Sequence, residues 1–371
     1  MKKDRPRHLA PETKKTKFYK VLFFLPILLS IFGLIFVFEA SSVRSFTEYG
    51  TSFHYLQLQT LWIFIGIGIM IFFSFFDYRR FQKLALPFMI GTIILLILVL
   101  IPHVGSKIGG ARRWIDLGFF NLQPTELAKV ATIIYLATWF KEKEKQRFFA
   151  FLFFIGVILG LIMLQPDMGT SMVIYGLSVV MYFLAGVELQ YLMAFLPASF
   201  LGALALIHIS PYRFNRLKAF LNPSEDQLGI GFHINQIFIS LTNGGLIGQG
   251  FGNSKQKYLF LPEAHTDSIF AIIGEETGFV GGLLLIGAFI LLIYLLYRVV
   301  ASSHDRFAFL LSGGIFAYFG IQVIFNLASM VGLMPLTGVP LPFISYGGSH
   351  ILIAFMLIGI IINISKKRAE L

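Results

Sequence analysis

The sequence lacks cysteine and is poor in charged residues. Without cysteine the chain can form neither a disulfide nor a thiolate metal site. Charged residues make up 13% of the 371 positions, about half the share found in a soluble domain. Hydrophobic residues make up 56%, and the mean hydropathy is +0.77. These values exclude an ordinary soluble domain and indicate an integral membrane protein.

Several catalytic and binding motifs are also missing. The eight histidines show no metal-binding spacing, and no glycine-rich loop precedes a Lys-Ser/Thr pair. A nucleophile elbow is absent as well. The sequence therefore predicts neither a zinc hydrolase nor a nucleotide-driven transporter, and it requires no cofactor. No aromatic and basic module typical of nucleic-acid binding stands out, so the net charge of +11 is interpreted through membrane topology.

Long apolar runs predict ten transmembrane helices in an all-α fold, since a spanning helix needs about 20 apolar residues. The first run follows a basic tail and is expected to remain as an uncleaved span. The predicted organisation is a tail over 1–18, one membrane domain over 19–366, and a second tail over 367–371. The predicted spans are 19–40, 57–76, 84–102, 124–140, 148–165, 169–187, 189–209, 267–297, 307–332 and 348–365.

The distribution of basic residues predicts that both termini are cytoplasmic. With this orientation, two thirds of the 30 lysines and arginines lie in inner segments. Most of the others fall in two outer loops, 103–123 and 210–266, where they would suit an anionic ligand such as a lipid pyrophosphate. Pairing with outer acids or phospholipid headgroups is the alternative. The loop over 210–266 is rich in glycine and apolar residues, which predicts a re-entrant or interfacial helix followed by tight turns.

Asp267 is the first candidate for chemistry, because a carboxylate at a membrane boundary is costly unless it is used. Thr266 or Asp267 could instead cap the helix that follows. Glu275 and Glu276 lie deeper in the same helix, and at least one of them is expected to face a wet cavity or a cation.

Three other motifs carry candidate residues. Glu126 and Lys129 share a helix face, so they predict either a self-neutralising ion pair or a cation available to a substrate phosphate. Asp167 follows Pro166, which favours a turn residue over a partner for the basic loops. The prolines and glycines of 335–349 forbid a helix, and Ser345 adds a hydroxyl there. This segment is interpreted as either a rigid turn or the wall of a polar cavity.

Taken together, these segments resemble the SEDS family (shape, elongation, division and sporulation), which includes FtsW and RodA. The resemblance covers about 20–365 and leans toward the division branch. Thr125 replaces the usual serine of the Gln-Pro-Ser-Glu motif, and Ser268 replaces a common aromatic residue. The motifs that carry the resemblance are Gly-Ala-Arg-Arg-Trp at 110–114, Gln-Pro-Thr-Glu-Leu-Ala-Lys at 123–129, Gln-Pro-Asp-Met-Gly-Thr at 165–170, Leu-Pro-Glu-Ala-His-Thr-Asp at 261–267 and Pro-Leu-Pro-Phe-Ile-Ser-Tyr-Gly-Gly-Ser at 340–349.

The resemblance implies a peptidoglycan glycosyltransferase of the bacterial cytoplasmic membrane, with its active site on the outer face. It implies lipid II and undecaprenyl-pyrophosphate glycan as substrates, a class B penicillin-binding protein as partner, and divisome or elongasome components around it. A divalent cation, Mg or Mn, is possible. Asp267 matches the essential aspartate of the family. The expected substrate-binding residues are Arg113, Trp114, Glu126, Lys129, Asp167, Arg213, Arg216, Lys257, His265, Thr266 and Ser345.

Two other functions fit parts of the sequence. A lipid II flippase would also have many spans and intramembrane charges, but it would need polar groups open to both faces. A division scaffold without activity would leave the predicted outer polar cluster unexplained.

Overall fold

The computed structural model describes residues 12–108, 111–118, 120–142, 148–186, 211–225 and 229–367, with isolated positions between 191 and 208. Most of the predicted seventh span, 189–209, lies outside the described residues, as do the chain ends 1–11 and 368–371. The helices of the described part are α1 (Glu12–Tyr49), α2 (His54–Phe75), α3 (Phe81–Leu98), α4 (Pro124–Trp139), α5 (Phe148–Met163), α6 (Met168–Leu184), α7 (Pro211–Leu221), α8 (Ile230–Gly244), α9 (Ile269–Ala301), α10 (Arg306–Met330) and α11 (Gly348–Lys367).

Six helices of the described part are long and apolar enough to cross a membrane: α1, α2, α3, α9, α10 and α11. Two further apolar helices, α5 and α6, are shorter, with 16 and 17 residues. The mainly helical membrane fold is therefore confirmed, and most predicted spans begin and end within a few residues of a helix. The count of ten spans and the orientation stay predictions.

Helix α1 differs most from its prediction, because it continues to Tyr49 instead of ending near residue 40. The additional turns are polar, so an apolar window does not detect them. Arg44 and Glu48 pair across one turn of this extension, with Nε and Oε1 2.8 Å apart. Such i,i+4 pairs support a helix beyond the apolar run.

The predicted loop over 103–123 contains a small antiparallel sheet, which corrects the expectation of a purely helical chain. Its strands are β1 (Gly105–Ile108), β2 (Ala111–Asp116) and β3 (Asn121–Leu122), in the order β1-β2-β3. Trp114 pairs with Ser106 in this sheet. Buried and exposed side chains alternate over part of β2, and such short alternation is easily missed beside long apolar runs.

The segment over 210–266 contains the helix that the sequence predicts. Helix α8 is amphipathic and buries Ile234, Ile237 and Ser240 against the bundle, where it packs on α9. Tight turns follow, with positive φ at Gly245, Gly248, Gly250 and Gly252. Both the predicted helix and the predicted turns are confirmed.

These turns pack against an interruption in α9 and form hydrogen bonds with its backbone. Gly278 has φ 68° and ψ −167°, which interrupts the helix and leaves backbone groups unpaired. The loop after α8 supplies the missing partners, since Phe279 N donates to Gly245 O at 2.9 Å and Gln249 N donates to Glu275 O, also at 2.9 Å. A Cβ at Gly278 would lie 2.3 Å from Gly248 N, so glycine is required there. The first part of α9, over 269–277, is thereby joined to α8 through main-chain hydrogen bonds.

Candidate functional site

Asp267 lies in a tight turn immediately before α9. Thr266 N and Ser268 N both donate to Glu263 O at 3.2 Å, and Glu263 has a left-handed φ of 50°. The N-cap of α9 is Ser268, and its side chain makes no capping bond. The alternative that Thr266 or Asp267 caps the helix is therefore wrong: the turn hydrogen-bonds to itself and leaves the Asp267 side chain for another use.

The Asp267 carboxylate is half-buried between polar and backbone groups. Thr266 Oγ1 donates to Asp267 Oδ1 at 3.0 Å and lies 2.8 Å from Glu263 Oε2. On the other side, a Cβ added to Gly338 would lie 3.6 Å from Asp267 Oδ2. The pKa of Asp267 is raised to about 6, mainly by burial and next by the Glu263 carboxylate, while Thr266 and the charge of Arg216 oppose the shift. A carboxylate with such a pKa can accept a proton near neutral pH.

Asn326, a residue of α10, stabilises this turn through its side chain. Sequence analysis did not identify it. Its Nδ2 donates to Asp267 O at 2.8 Å and to Val339 O at 2.9 Å. The side chain is fully buried. The sequence signal that could have identified Asn326 is its polar amide within the charge-free run 307–365. An asparagine in an apolar helix does not, however, show which residues it contacts.

The loop over 335–347 lies beside this turn, and its residues Pro335, Leu336 and Thr337 line a cavity. Ser345 is fully buried, and its hydroxyl accepts from Leu341 N at 2.8 Å. Tyr346 N donates to His265 O at 2.9 Å, and the two side-chain rings lie 5.5 Å apart. Burial lowers the pKa of His265 to about 4, so its imidazole is neutral at pH 7. Ser345 and His265 therefore shape the loop beside Asp267.

Arg213 and Arg216 line a narrow cavity next to this loop. The cavity has a volume of about 50 Å³, and Thr337, Met168 and Met172 also line it. Thr337 Oγ1 is buried and has no hydrogen-bond partner among the described residues. The charge of Arg216 also reaches Asp267 and lowers its pKa. One predicted cation, Arg216, thus acts on the candidate base, and Arg213 and Thr337 line the same cavity as Arg216.

Arg113 and Asp167 have structural partners at this end of the bundle. Arg113 Nε donates to Gln165 O at 3.1 Å, and its Nη2 donates to Pro166 O. Asp167 caps α6 by accepting from Thr170 N at 3.0 Å and from Thr170 Oγ1 at 2.8 Å. The turn interpretation of Asp167 is confirmed. Contact of Arg113, Trp114 or Asp167 with a substrate stays a prediction.

Glu126 and Lys129 form an ion pair inside the bundle. Lys129 Nζ lies 2.7 Å from Glu126 Oε1, and both side chains are almost completely buried. His350 Nδ1 lies 3.5 Å from Glu126 Oε2, and the Lys129 ammonium lies 5.6 Å from the centre of the Tyr318 ring. This geometry favours the self-neutralising pair. His350 was not identified from the sequence, because only the fold brings α11 beside α4.

Lys257 belongs to a second buried cluster, between α1 and α9. Its Nζ lies 2.8 Å from Glu39 Oε2 and 3.8 Å from Glu276 Oε1. Glu275 accepts from Ser240 Oγ at 3.3 Å and from the Ser254 hydroxyl. The expectation that one acid of α9 faces a cation is confirmed for Glu276. Since Lys257 already pairs with two carboxylates, the cluster holds the loop after α8 in place.

The described residues contain no group of three histidine, aspartate or glutamate side chains arranged to hold a metal ion. Glu263 and Asp267 supply two carboxylates joined through one hydroxyl, and two carboxylates are a common protein contribution to a Mg²⁺ site. A divalent cation stays a prediction.

Comparison with known proteins gives the class of this chain. The profile of the FtsW/RodA/SpoVE family, described as cell cycle proteins, matches residues 19–370. The chain therefore belongs to this family, which is the SEDS family that its motifs indicate.

Individual relatives agree with the family. The chain is 37% identical over 353 residues to a "Probable peptidoglycan glycosyltransferase FtsW" of Geobacter metallireducens, covering 94% of each chain. It is 38% identical over 362 residues to "Stage V sporulation protein E" of Bacillus subtilis, covering 95% of this chain and 98% of the relative. Because the two identities are nearly equal, assignment to the division branch stays a prediction.

Solved structures show the same fold. One matching chain comes from a structure described as "Structural coordination of polymerization and crosslinking by a peptidoglycan synthase complex", with TM-score 0.78 and 27% identity over 94% of this chain and 97% of that chain. The rod shape determining protein RodA of Thermus thermophilus matches with TM-score 0.69 and 27% identity, over 94% and 96% of the two chains.

Proposed function

We propose that this protein is a peptidoglycan glycosyltransferase that polymerises lipid II into glycan strands. Membership of the SEDS family and the names of its relatives support this activity. The observation that carries the proposal is the Asp267 carboxylate, which has a pKa of about 6 and lies near Arg216. Transfer between lipid-linked sugars needs such a base close to groups that bind a pyrophosphate.

Asp267 is the general base of the proposed reaction. The acceptor's 4-hydroxyl attacks the anomeric carbon of the donor, while Asp267 takes the hydroxyl proton. The new bond from carbon to the acceptor oxygen forms as the bond to the pyrophosphate oxygen breaks, and the undecaprenyl pyrophosphate leaves with the electron pair. The anomeric centre inverts from α to β. A well-placed base contributes roughly 10²–10⁴ in rate.

Arg213, Arg216 and Thr337 are the groups that we assign to the pyrophosphates. Two guanidinium groups can each donate two parallel hydrogen bonds to phosphate oxygens, and the Thr337 hydroxyl adds a donor to the same cavity. These donors stabilise the charge that develops on the leaving group. Lys129 is buried with Glu126 and His350, so in this proposal it acts through the position of α4.

The proposed location is the cytoplasmic membrane of a bacterium, with Asp267 at the outer face. Six long apolar helices support a multi-pass membrane protein, and the basic residues favour this orientation. We propose a class B penicillin-binding protein as partner. The similarity to a chain from a peptidoglycan synthase complex supports this choice.

The test is polymerisation of lipid II by the purified full-length chain in detergent, alone and with a matching class B penicillin-binding protein. Asp267→Asn is expected to abolish the glycan product on a gel while the thermal unfolding transition is retained. Asp116→Asn is a suitable control, because Asp116 is an exposed strand residue whose carboxylate accepts from Gly118 N. Polymer formation by Asp267→Asn would refute the assignment. Translocation of lipid II across vesicles without polymer would support the flippase instead.

A further inference from the structure

Asn326 occupies a position that joins the two walls of the candidate site. It lies on α10, four residues before the helix ends at Met330, and its side chain has no exposed surface. An asparagine amide carries two N–H donors. Here they reach two carbonyls that are far apart in sequence, Asp267 O and Val339 O, at 2.8 and 2.9 Å.

The carbonyl of Asp267 needs a partner from outside its own helix. Ala271 N, which could close the first turn of α9 on Asp267, donates to Ser268 O at 3.0 Å instead. The Asp267 carbonyl thus lies outside the helical hydrogen-bond ladder, and a buried carbonyl without a donor is destabilising. The Asn326 amide supplies that donor and fixes the main chain at the residue that carries the carboxylate.

The second hydrogen bond of the amide fixes the opposite wall. Val339 follows Gly338, whose backbone has a φ of 70° and lies beside Asp267 Oδ2. Because one planar amide holds both main-chain segments, it also sets the separation between the carboxylate and the loop over 335–347.

We propose that Asn326 is a positioning residue for Asp267, which holds the carboxylate in the orientation required for proton transfer without touching the substrate. This inference rests on the proposed function. A displacement of about 1 Å can reduce a reaction rate by two orders of magnitude, so a single amide in this place controls the activity of the base.

Asn326→Leu tests this role, with Gln322→Leu as the matched control. Gln322 is an equally buried amide one turn earlier on α10, with no hydrogen bond to either wall among the described residues. We expect kcat for lipid II polymerisation to fall about 100-fold in Asn326→Leu, with KM changed much less. In Gln322→Leu we expect kcat to stay within about threefold of the parent. If Asn326→Leu does not fold, the pair Asn326→Ala and Gln322→Ala replaces it.

The pH dependence separates positioning from a general loss of structure. The acidic limb of the rate profile is expected near pH 6 in the parent. Without the amide, Asp267 becomes free to turn toward solvent, so the limb should move down toward the usual aspartate range. An unchanged limb, or equal losses in the Asn326 and Gln322 variants, would overturn the proposal.

A chemical readout tests the same point without using activity. A water-soluble carbodiimide modifies exposed carboxyl groups, and mass spectrometry gives the rate at Asp267. This rate is expected to rise several-fold in Asn326→Leu and to stay unchanged in Gln322→Leu. Equal rates in both would refute the positioning role even if the chain proved to have another function, and activity in Asp267→Asn would refute the function alone.

Discussion

The carboxylates of Glu263 and Asp267 share one hydroxyl group, that of Thr266, which lies 2.8 Å from the first and 3.0 Å from the second. The negative charge of the Glu263 carboxylate raises the affinity of Asp267 for a proton. Glu263 is exposed, whereas Asp267 is half-buried, and burial raises the pKa of Asp267 more than the Glu263 charge does. In the sequence Glu263 is one residue of the motif at 261–267, and in the structure its charge adjusts the proposed base.

Removal of the Glu263 charge should lower the pKa of Asp267. In Glu263→Gln the nearby negative charge is lost, so the acidic limb of the polymerisation rate should move below pH 6 by about one unit or less. The measurement is kcat/KM for lipid II between pH 4.5 and 8. Glu225→Gln is the control, because Glu225 is exposed and pairs with Lys218 at 3.0 Å. An upward movement of the limb would contradict the arrangement of charges described above.

Asp267→Asn should stabilise the protein at neutral pH while removing activity. The folded-state pKa of Asp267, about 6, is higher than its ordinary value of 3.8, so the folded state binds the proton more tightly than the unfolded state. The stability of the parent should therefore fall as the pH rises from about 4 to 6. Asparagine has no proton to lose. The Tm of the variant should exceed that of the parent at pH 7.5 and should approach it at pH 4, in thermal unfolding in detergent.

Removing one member of the buried pair of Glu126 and Lys129 should lower the free energy of unfolding much more than removing both members. Lys129→Met leaves the Glu126 carboxylate buried beside a neutral neighbour and should destabilise the chain by about 3–5 kcal/mol. The double variant Glu126→Gln with Lys129→Met removes both charges and should recover most of this loss. Thermal unfolding of both single variants and the double variant gives the coupling free energy between the two charges. Additive losses would show that the two charges do not depend on each other.

Gly278 should be the least replaceable glycine of α9. Gly278→Ala forces a Cβ into a backbone with φ 68°, 2.3 Å from Gly248 N, and should cost about 1–3 kcal/mol or more. Gly287→Ala, in the same helix, meets no atom within 4 Å and should be neutral or stabilising by about 0.5–1 kcal/mol. Comparison of the two Tm values tests this. Equal effects would mean that the loop after α8 does not support the break.

Much of the helical framework could be predicted, because the length and spacing of apolar runs reflect the membrane itself. Helix α8 and its turns could also be predicted, since glycine spacing and apolar periodicity are local properties. Asp267 was identified for a similar reason: a carboxylate beside an apolar run is unusual at any position.

The contacts that arrange the site could not be predicted in the same way. Asn326 lies 59 residues from Asp267 along the chain, and His350 lies on a different helix from Glu126. A polar side chain inside an apolar helix indicates that it has a partner, but the sequence does not identify that partner. The small sheet was missed because its strands are short. Arg113 and Lys257 were singled out for charge, and only the fold shows that they hold neighbouring carbonyls and buried acids.

The interruption of α9 at Gly278 also has a mechanical consequence. The stretch from Gly278 back to Asp267 is about 16 Å long at the helical rise per residue. Its inner end is held by main-chain bonds to the loop after α8 and by the side chains of Glu275 and Glu276. A tilt of about 10° at that inner end moves the far end by about 3 Å, enough to make or break a hydrogen bond to the base. Leu246 and Ile247 are exposed in the loop that holds this inner end, so a displacement of that loop is coupled through the main chain to the helix that begins beside Asp267.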